Sequence, residues 1–290
     1  MQIYPGFLYK RQYINCKGKI MDISKPLVMG ILNFTPDSFY DGGRYNELSV
    51  AMHQAEKMIL EGAAILDVGA QSSRPGARML SYEEESERLY PLLEVLSKNF
   101  PDIPLSVDTF HARIAAQSVE KYGAAIINDI SAGDFDPEMI DTIARLQVPY
   151  IIMHMQGTPT NMQQNPVYTD VAAEISLYLA NKINTLTSKG INDIVIDPGF
   201  GFGKTPEHNF ELLKKLSQFR IFELPILVGF SRKSMIYKTL DLTPSEALNG
   251  TTVLNVLALE RGANILRVHD VAEAVQAIKL VNKTIGEWSS

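Results

Sequence analysis

Polar and charged side chains that could bind a small polar molecule recur at the ends of short apolar runs in this sequence. The positions are Asn33, Asp67, Asp108, Asn128, Asp129, His154, Asp197, Lys233, Arg267 and His269. A carboxylate can accept two parallel hydrogen bonds, whereas arginine and histidine suit phosphate oxygens. A single such residue could be a satisfied structural group. Their regular recurrence favours one shared site.

Two polar segments near these positions could complete a site. Residues 33–43 are polar and glycine-rich, and Asn33 and Asp37 offer oxygen ligands of the kind that Mg²⁺ prefers. Residues 71–77 place hydroxyl groups beside Arg74, which could bind an anion. Both segments could equally be solvated surface loops, so their composition leaves the question open.

The glycine-rich segment 197–205 resembles a phosphate-binding loop but lacks its pattern. A Walker A loop needs glycine five residues before Gly203, and that position is Pro198. We therefore expect a close approach of the backbone to a flat ligand, with Asp197 facing it. Lys233 could form a Schiff base, donate a hydrogen bond or bind phosphate. His154 is as well explained by a buried structural role as by a functional one.

The elements that must position these residues alternate regularly. Eight nearly continuous apolar runs predict strands at 27–33, 63–69, 104–109, 125–131, 150–155, 193–199, 225–231 and 263–270. Amphipathic patterns predict helices at 49–61, 82–98, 112–121, 137–146, 171–189, 207–217, 244–261 and 271–285. Eight strand–helix units predict a (β/α)8 TIM barrel, with a doubly wound open sheet as the alternative. In such a barrel, the carboxyl ends of the strands meet at the mouth, where active sites lie.

The residues before the first barrel strand predict an N-terminal β-hairpin extension. Residues 13–16 and 19–23 flank Lys17 and Gly18, a pair suited to a tight turn. We expect segment 1–24 to plug the amino-terminal end of the barrel. Without a linker or a break in composition, residues 1–290 are predicted to form one domain.

Composition narrows the class of protein. The 290 residues carry a net charge of −6, which disfavours nucleic-acid binding. They are 46% hydrophobic, enough for a large core. One cysteine, Cys16, excludes an intramolecular disulfide and a cysteine-rich metal site. No apolar run is long enough to span a membrane, and the amino terminus lacks a signal-peptide pattern, so we predict a cytoplasmic protein.

Taken together, these motifs resemble those of the dihydropteroate synthases over nearly the whole chain. The matching segments are 33–43, 72–76, 107–109, 128–130, 153–157, 197–204, 231–233 and 267–269. The resemblance implies condensation of 6-hydroxymethyl-7,8-dihydropterin pyrophosphate with 4-aminobenzoate. The products would be 7,8-dihydropteroate and pyrophosphate. It also implies a requirement for Mg²⁺ and a homodimer.

The resemblance further implies roles for individual residues. The pterin would be bound by Asp108, Asn128, Met153, Asp197 and Lys233. Asn33, Arg267 and His269 would hold the pyrophosphate, and Asn33 would also ligate Mg²⁺. The aminobenzoate would be bound by Phe39, Ser73, Arg74, Pro75, Phe202 and Ser234. The catalytic set would be Asp108, Lys233, Arg267, Asp41 and Arg74.

The second loop departs from the family pattern at two positions. The usual order is Glu-Ser-Thr-Arg-Pro-Gly, whereas this chain has Gln71 and Ser73 in place of the glutamate and the threonine. Ser73 keeps the hydroxyl and loses a methyl group, which should alter the aminobenzoate pocket and sulfonamide affinity without abolishing catalysis. Gln71 removes a negative charge whose role the sequence leaves unassigned.

Three alternative functions remain at this point. A pterin-binding methyltransferase would share the barrel but would not need segments 35–39 and 73–75. A non-catalytic folate-binding paralogue would be expected to have lost residues such as Asn33, Lys233 or Arg267, and all three are present. A Schiff-base aldolase would be built on Lys233, and borohydride trapping with a carbonyl substrate would detect it.

Overall fold

The computed structural model describes residues 13–34, 44–71, 76 and 78–285; for residues 44–46 and 285 it describes the backbone alone. The strands in these ranges are β1 (Tyr13–Cys16), β2 (Lys19–Asp22), β3 (Leu27–Asn33), β4 (Ile65–Gly69), β5 (Leu105–Asp108), β6 (Ile126–Asp129), β7 (Tyr150–Met153), β8 (Ile194–Asp197), β9 (Leu227–Val228) and β10 (Ile265–Val268). The α-helices are α1 (Arg44–Glu61), α2 (Tyr82–Asn99), α3 (Ala112–Tyr122), α4 (Met139–Leu146), α5 (Val171–Ser188), α6 (Pro206–Lys214), α7 (Ser234–Tyr237), α8 (Leu248–Glu260) and α9 (Val271–Ile285).

The eight strands β3 to β10 form one parallel sheet that curls into a barrel. Their order is β8-β7-β6-β5-β4-β3-β10-β9. A parallel bridge between Ile196 and Ile226 joins the two edges, and the Ile196 N–H donates to the Pro225 carbonyl at 2.9 Å. The predicted (β/α)8 barrel is therefore confirmed, with its seam between β8 and β9.

Local signals in the sequence explain where several helices begin and end. Ser81 and Glu84 form a capping box at the start of α2, and Asp170 accepts hydrogen bonds from the first backbone N–H groups of α5. Gly123 adopts φ 74° directly after α3, a conformation that glycine reaches without steric cost. These caps set the lengths of the β–α units and thus the positions of the strand ends.

The predicted hairpin is present and closes the amino-terminal end of the barrel. Strands β1 and β2 pair antiparallel across Lys17 and Gly18. Ile14, Cys16 and Ile23 are buried in a cluster with residues at the amino-terminal ends of the barrel strands. Residues 1–12 of the predicted plug lie outside the described residues.

The observed elements differ from the predicted ones mainly at their ends. Most barrel strands are shorter than their apolar runs, and β9 has two residues where seven were predicted, because the flanking residues turn out of the sheet into the loops of the mouth. The helix predicted at 244–261 is interrupted: a 3-10 turn at Pro244–Glu246 precedes α8. A 3-10 helix at Leu216–Phe222 and the short α7 were not predicted. Among the described residues, no helix combines the length and the apolar character needed to cross a membrane.

Candidate active site

The carboxyl ends of the barrel strands bring the predicted polar residues to one mouth. Asn33 ends β3, Asp108 ends β5 and Asp197 ends β8. In the parallel pairing, Asp108 is opposite Asn128 and Met153 is opposite Asp197. The sequence prediction that these side chains converge is therefore correct, because the register of the sheet places them in neighbouring positions.

The Arg267 guanidinium links two carboxylates at the mouth. Its Nε lies 2.6 Å from Asp67 Oδ2, and a terminal nitrogen lies 2.7 Å from Asp108 Oδ2. Asp67 also accepts hydrogen bonds from Ser106 Oγ at 2.6 Å and from Asn128 Nδ2 at 3.1 Å. This network fixes Arg267, Asp108 and Asn128 relative to one another before any ligand binds.

Asp67 is the functional residue that sequence reasoning left without a role. It is fully buried at the centre of this network, and it holds both the arginine and the asparagine assigned to substrate. The available signal was its position near the end of β4, in line with the other strand-end polar residues. Its partners could not be read from the sequence, because Arg267 is two hundred positions away.

The electrostatics of the mouth shift two ionisations towards neutral pH. Burial raises the pKa of Asp108 to about 7; Arg267 opposes the shift, and Asp67 and Asp129 add to it. Burial lowers the pKa of Lys233 to about 8, although the carboxylate of Asp197 opposes the change. Burial likewise raises the pKa of Asp197, against the influence of Lys233. Asp108 and Lys233 thus titrate near neutral pH, where a bound substrate could change their charge.

Lys233 and Asp197 lie on either side of the glycine-rich loop. The Asp197 carboxylate accepts a hydrogen bond from the Gly199 N–H at 2.7 Å. The Lys233 amine donates to the Phe200 carbonyl and stands 4.6 Å from the centre of the Phe202 ring. The lysine thus contacts the loop that follows β8 at both Phe200 and Phe202.

The glycines of this loop are needed for contacts within the protein. A Cβ on Gly199 would lie 1.9 Å from the His154 carbonyl oxygen, and one on Gly203 would lie 2.5 Å from the Gln156 carbonyl oxygen. A Cβ on Gly201 would lie 2.9 Å from Lys233 Cδ. These glycines therefore allow the close approach of the neighbouring loop and of Lys233. That a flat ligand also approaches this backbone stays a prediction.

Lys204, within this loop, and His154, which follows β7, have partners inside the protein. The buried Lys204 amine lies 2.8 Å from the Gly199 carbonyl oxygen and 2.9 Å from that of Phe202. It also lies 3.2 Å from His154 Nδ1. Burial lowers the pKa of His154 to about 3 and that of Lys204 to about 7. His154 is therefore a neutral structural acceptor, one of the two roles left open by the sequence.

An apolar cluster of side chains adjoins the charged residues. Met153 and Phe202 are buried with three further apolar side chains, Phe110, Ile130 and Met162. Met153 ends β7, so its side chain faces the same mouth as Asp197. Phe202 lies in the loop after β8, under the Lys233 amine. The predicted ring contacts of both residues are thus compatible with their places in the fold.

The remaining predicted residues occupy the rim. Ser234 opens α7, which has four residues. His269 is exposed, and its backbone N–H donates to Ser231 Oγ at 3.2 Å. Arg232 is bound through two nitrogens to Asp270, so this cation is engaged within the loops after β9 and β10. A Cβ on Gly69 would contact both Asp108 and Asn33, which shows that these two side chains flank Gly69.

Several predicted residues fall outside the described residues. They are Asp37, Phe39, Asp41, Ser73, Arg74 and Pro75. Gln71, by contrast, is described: its Oε1 accepts from the Leu80 N–H at 2.8 Å and its Nε2 donates to the Arg78 carbonyl at 3.1 Å. The substituted glutamine therefore joins the two ends of the second loop, a role that its neighbours in sequence did not reveal.

The fold and the mouth define a barrel enzyme of the pterin-binding class. A family model described as pterin binding enzyme matches residues 29–269. The dihydropteroate synthase of Escherichia coli (strain K12) is 46% identical over 271 residues, which cover 93% of this chain and 95% of that protein. The chain therefore belongs to the dihydropteroate synthases within the pterin binding enzyme family.

Solved structures agree with this assignment. The Yersinia pestis dihydropteroate synthase with a sulfonamide drug complex has a TM-score of 0.89 and 43% identity, covering 94% of this chain and 99% of that one. The Xanthomonas albilineans dihydropteroate synthase with 4-aminobenzoic acid has a TM-score of 0.89 and 38% identity, covering 96% and 99%. The similarity thus extends over the whole barrel rather than over isolated motifs.

Proposed function

We propose that this chain condenses 6-hydroxymethyl-7,8-dihydropterin pyrophosphate with 4-aminobenzoate to give 7,8-dihydropteroate and pyrophosphate. The observation that carries the proposal is the arrangement at the mouth. Asp197 interacts electrostatically with Lys233. Asp108 and Asn128 are opposite one another in the sheet, and Asp67 binds Asn128 directly and reaches Asp108 through Arg267. Acceptors and donors placed in this way match the two edges of a pterin ring.

The Asp197 carboxylate binds the edge of the pterin that carries parallel donors. A pterin presents a ring N–H and an exocyclic amine on this edge, and one carboxylate can accept both. Burial makes each of these hydrogen bonds stronger than it would be in water. The Gly199 N–H occupies one lobe of Asp197 Oδ1 and orients the carboxylate.

The opposite edge of the pterin is met by Asp108 and Asn128, and Lys233 donates to the ring carbonyl and the neighbouring nitrogen. Lys233 donates to the Phe200 carbonyl in the ligand-free protein and has further N–H donors to offer. The ammonium form is the donor that the pterin carbonyl requires. Lys233 therefore binds pterin in its protonated state, below its pKa of about 8.

Bond exchange takes place at the methylene carbon beside the ring. The C–O bond to pyrophosphate breaks to leave a cation that the pterin ring stabilises; the neutral amine of 4-aminobenzoate then forms the C–N bond and releases a proton to solvent. The bond electrons leave with pyrophosphate, which Arg267 and His269 stabilise at the rim. Positive charge that develops on the pterin is opposed by the Asp108 carboxylate.

Mg²⁺ is the metal ion that the family resemblance implies for this rim. Among the described residues, no group of three or more histidine, cysteine, aspartate or glutamate side chains could hold a metal ion. Mg²⁺ commonly binds one or two protein oxygens together with water and substrate phosphates. The Asn33 amide oxygen would supply one such ligand, and the ion would neutralise charge on the departing pyrophosphate.

In this proposal, aminobenzoate lies between the apolar cluster that contains Phe202 and the rim. Phe202 packs on its ring, and Ser234 receives its carboxylate. By the family resemblance, Phe39, Ser73, Arg74 and Pro75 would also bind aminobenzoate, and Asp41 and Arg74 would assist catalysis. Sulfonamides, which imitate aminobenzoate, are expected to compete for this pocket.

A turnover assay tests the proposed function directly. Labelled 4-aminobenzoate, the dihydropterin pyrophosphate and Mg²⁺ are expected to yield labelled dihydropteroate and an equal amount of pyrophosphate, and EDTA should abolish both. Asp197→Asn should lower product formation in this assay. Asp193→Asn is its matched control, because Asp193 precedes the same strand at the opposite end of the barrel. A folded protein that binds pterin but forms no product would contradict the proposal.

A further inference from the structure

The loop after β8 has an unusual source of backbone hydrogen bonds. Every carbonyl from Gly199 to Thr205 accepts a hydrogen bond from a side chain. The donors, in order of the carbonyls, are Lys204, Lys233, Gln163, Lys204, Tyr168, Asn209 and Asn209. Because this segment forms no helix or strand between β8 and α6, its shape depends on these donors.

Lys204 supplies two of these hydrogen bonds from inside the loop itself. It is 2% exposed, and its amine lies within 2.9 Å of the Gly199 and Phe202 carbonyl oxygens. The His154 carbonyl is 3.3 Å away. The amine carries three N–H donors when protonated and two when neutral, so it can satisfy the two nearer carbonyls in either state. The charged groups that face it are Asp197 and Lys233.

The Gly199 and Phe202 carbonyls belong to residues that we connect with different substrates. The Gly199 N–H orients the Asp197 carboxylate, which we assign to the pterin. Phe202 belongs to the apolar cluster that we assign to aminobenzoate. We propose that Lys204 is a positioning residue for both substrates, a role that rests on the proposed function. Its buried amine fixes the loop from Gly199 to Phe202 without touching either substrate.

The first test replaces the amine and measures substrate affinity per folded enzyme. Lys204→Met is expected to weaken dihydropterin binding at least tenfold in calorimetry and to raise the KM for aminobenzoate at least tenfold, while kcat falls less than fivefold. Lys214→Met is the matched control, because Lys214 is exposed at the end of α6. A purely structural role would lower the melting temperature and the active fraction but leave both affinities of the folded enzyme unchanged.

A conservative variant and a double variant sharpen this test. Lys204→Gln retains N–H donors and polar volume, so it provides a folded variant should Lys204→Met not fold. Its affinities for both substrates should lie between those of Lys204→Met and wild type. In a Phe202→Ala background, Lys204→Met should weaken pterin binding but add little to the KM for aminobenzoate. Affinities within twofold of wild type in a folded Lys204 variant would overturn the inference. Pterin binding needs no turnover, so absence of activity in wild type would count against the proposed function alone.

Discussion

At the scale of single residues, the mouth contains groups whose charge depends on their surroundings. Asp108 and Lys233 have ordinary pKa values of 3.8 and 10.5, and burial moves them to about 7 and about 8. Glu85, fully buried at the start of α2, has its pKa raised to about 7 by loss of hydration; the Thr109 hydroxyl opposes this shift and Asp108 adds to it. These residues, together with Asp197, yield three predictions.

Asp197→Asn should weaken pterin binding roughly a hundredfold, or about 3 kcal/mol, because an amide N–H₂ would face the donors of the ring. Calorimetric titration with the pterin measures the effect. Asp193→Asn, at the other end of β8, is expected to bind as wild type does. Equal affinity in the Asp197 variant would show that another group recognises the pterin edge.

The pH dependence of kcat/KM should be a narrow bell. Activity requires ionised Asp108, so it should rise through about pH 7, and it requires protonated Lys233, so it should fall above about pH 8. In Lys233→Arg, residual activity should keep the acidic limb and lose the alkaline one, because a guanidinium stays protonated there. An unchanged alkaline limb in this variant would assign that limb to another group.

Glu85→Gln should gain stability over wild type as the pH rises. The pKa of Glu85 is about 7 in the folded protein and near its ordinary 4.5 in the unfolded chain. Between these values the folded state holds a proton that the unfolded chain has released, so the wild-type free energy of unfolding falls as the pH increases. The variant escapes this loss and should gain about 2–3 kcal/mol between pH 4.5 and 7. Urea denaturation across this range, with exposed Glu83→Gln as control, checks the slope.

At the scale of elements, the hairpin and the mouth lie at opposite ends of the barrel. Ile23→Ala should lower the free energy of unfolding by about 3 kcal/mol, because Ile23 is fully buried among the barrel strand ends. Its kcat/KM should stay at the wild-type level. Ile20→Ala, at an exposed position of β2, should change stability by less than about 0.5 kcal/mol. A large loss of activity in folded Ile23→Ala would mean that the two ends are coupled.

The sequence predicted elements more completely than contacts. Apolar runs located all eight barrel strands, since strands buried on both faces carry a continuous signal. The short β9 and the break before α8 escaped, because their ends are set by the seam and by a capping turn. The hydrogen bonds of Asp67 and of Gln71 could not be predicted for another reason. Each depends on partners that only the folded chain brings near.

At the scale of the whole molecule, the chain is expected to assemble as a homodimer, as its resemblance to the family implies. Light scattering after size exclusion should give twice the 32.3 kDa mass of one chain. The measurement should be repeated at low and high protein concentration, because mass action would reveal a weak association. A mass of one chain at all concentrations would rule out a stable dimer.

The hydrogen bond from Lys233 to the Phe200 carbonyl has a consequence for ligand recognition. The protein offers its own lysine a carbonyl of the same kind as the one on the pterin ring. This peptide oxygen is a placeholder: it has already drawn the ammonium out of water before any ligand arrives. Binding then exchanges one carbonyl for another, or shares the donors between the two. Recognition at this position should therefore depend more on the shape of the ring than on its charge. A ring analogue without the carbonyl would leave Lys233 bound to the Phe200 carbonyl and would gain no hydrogen bond from it.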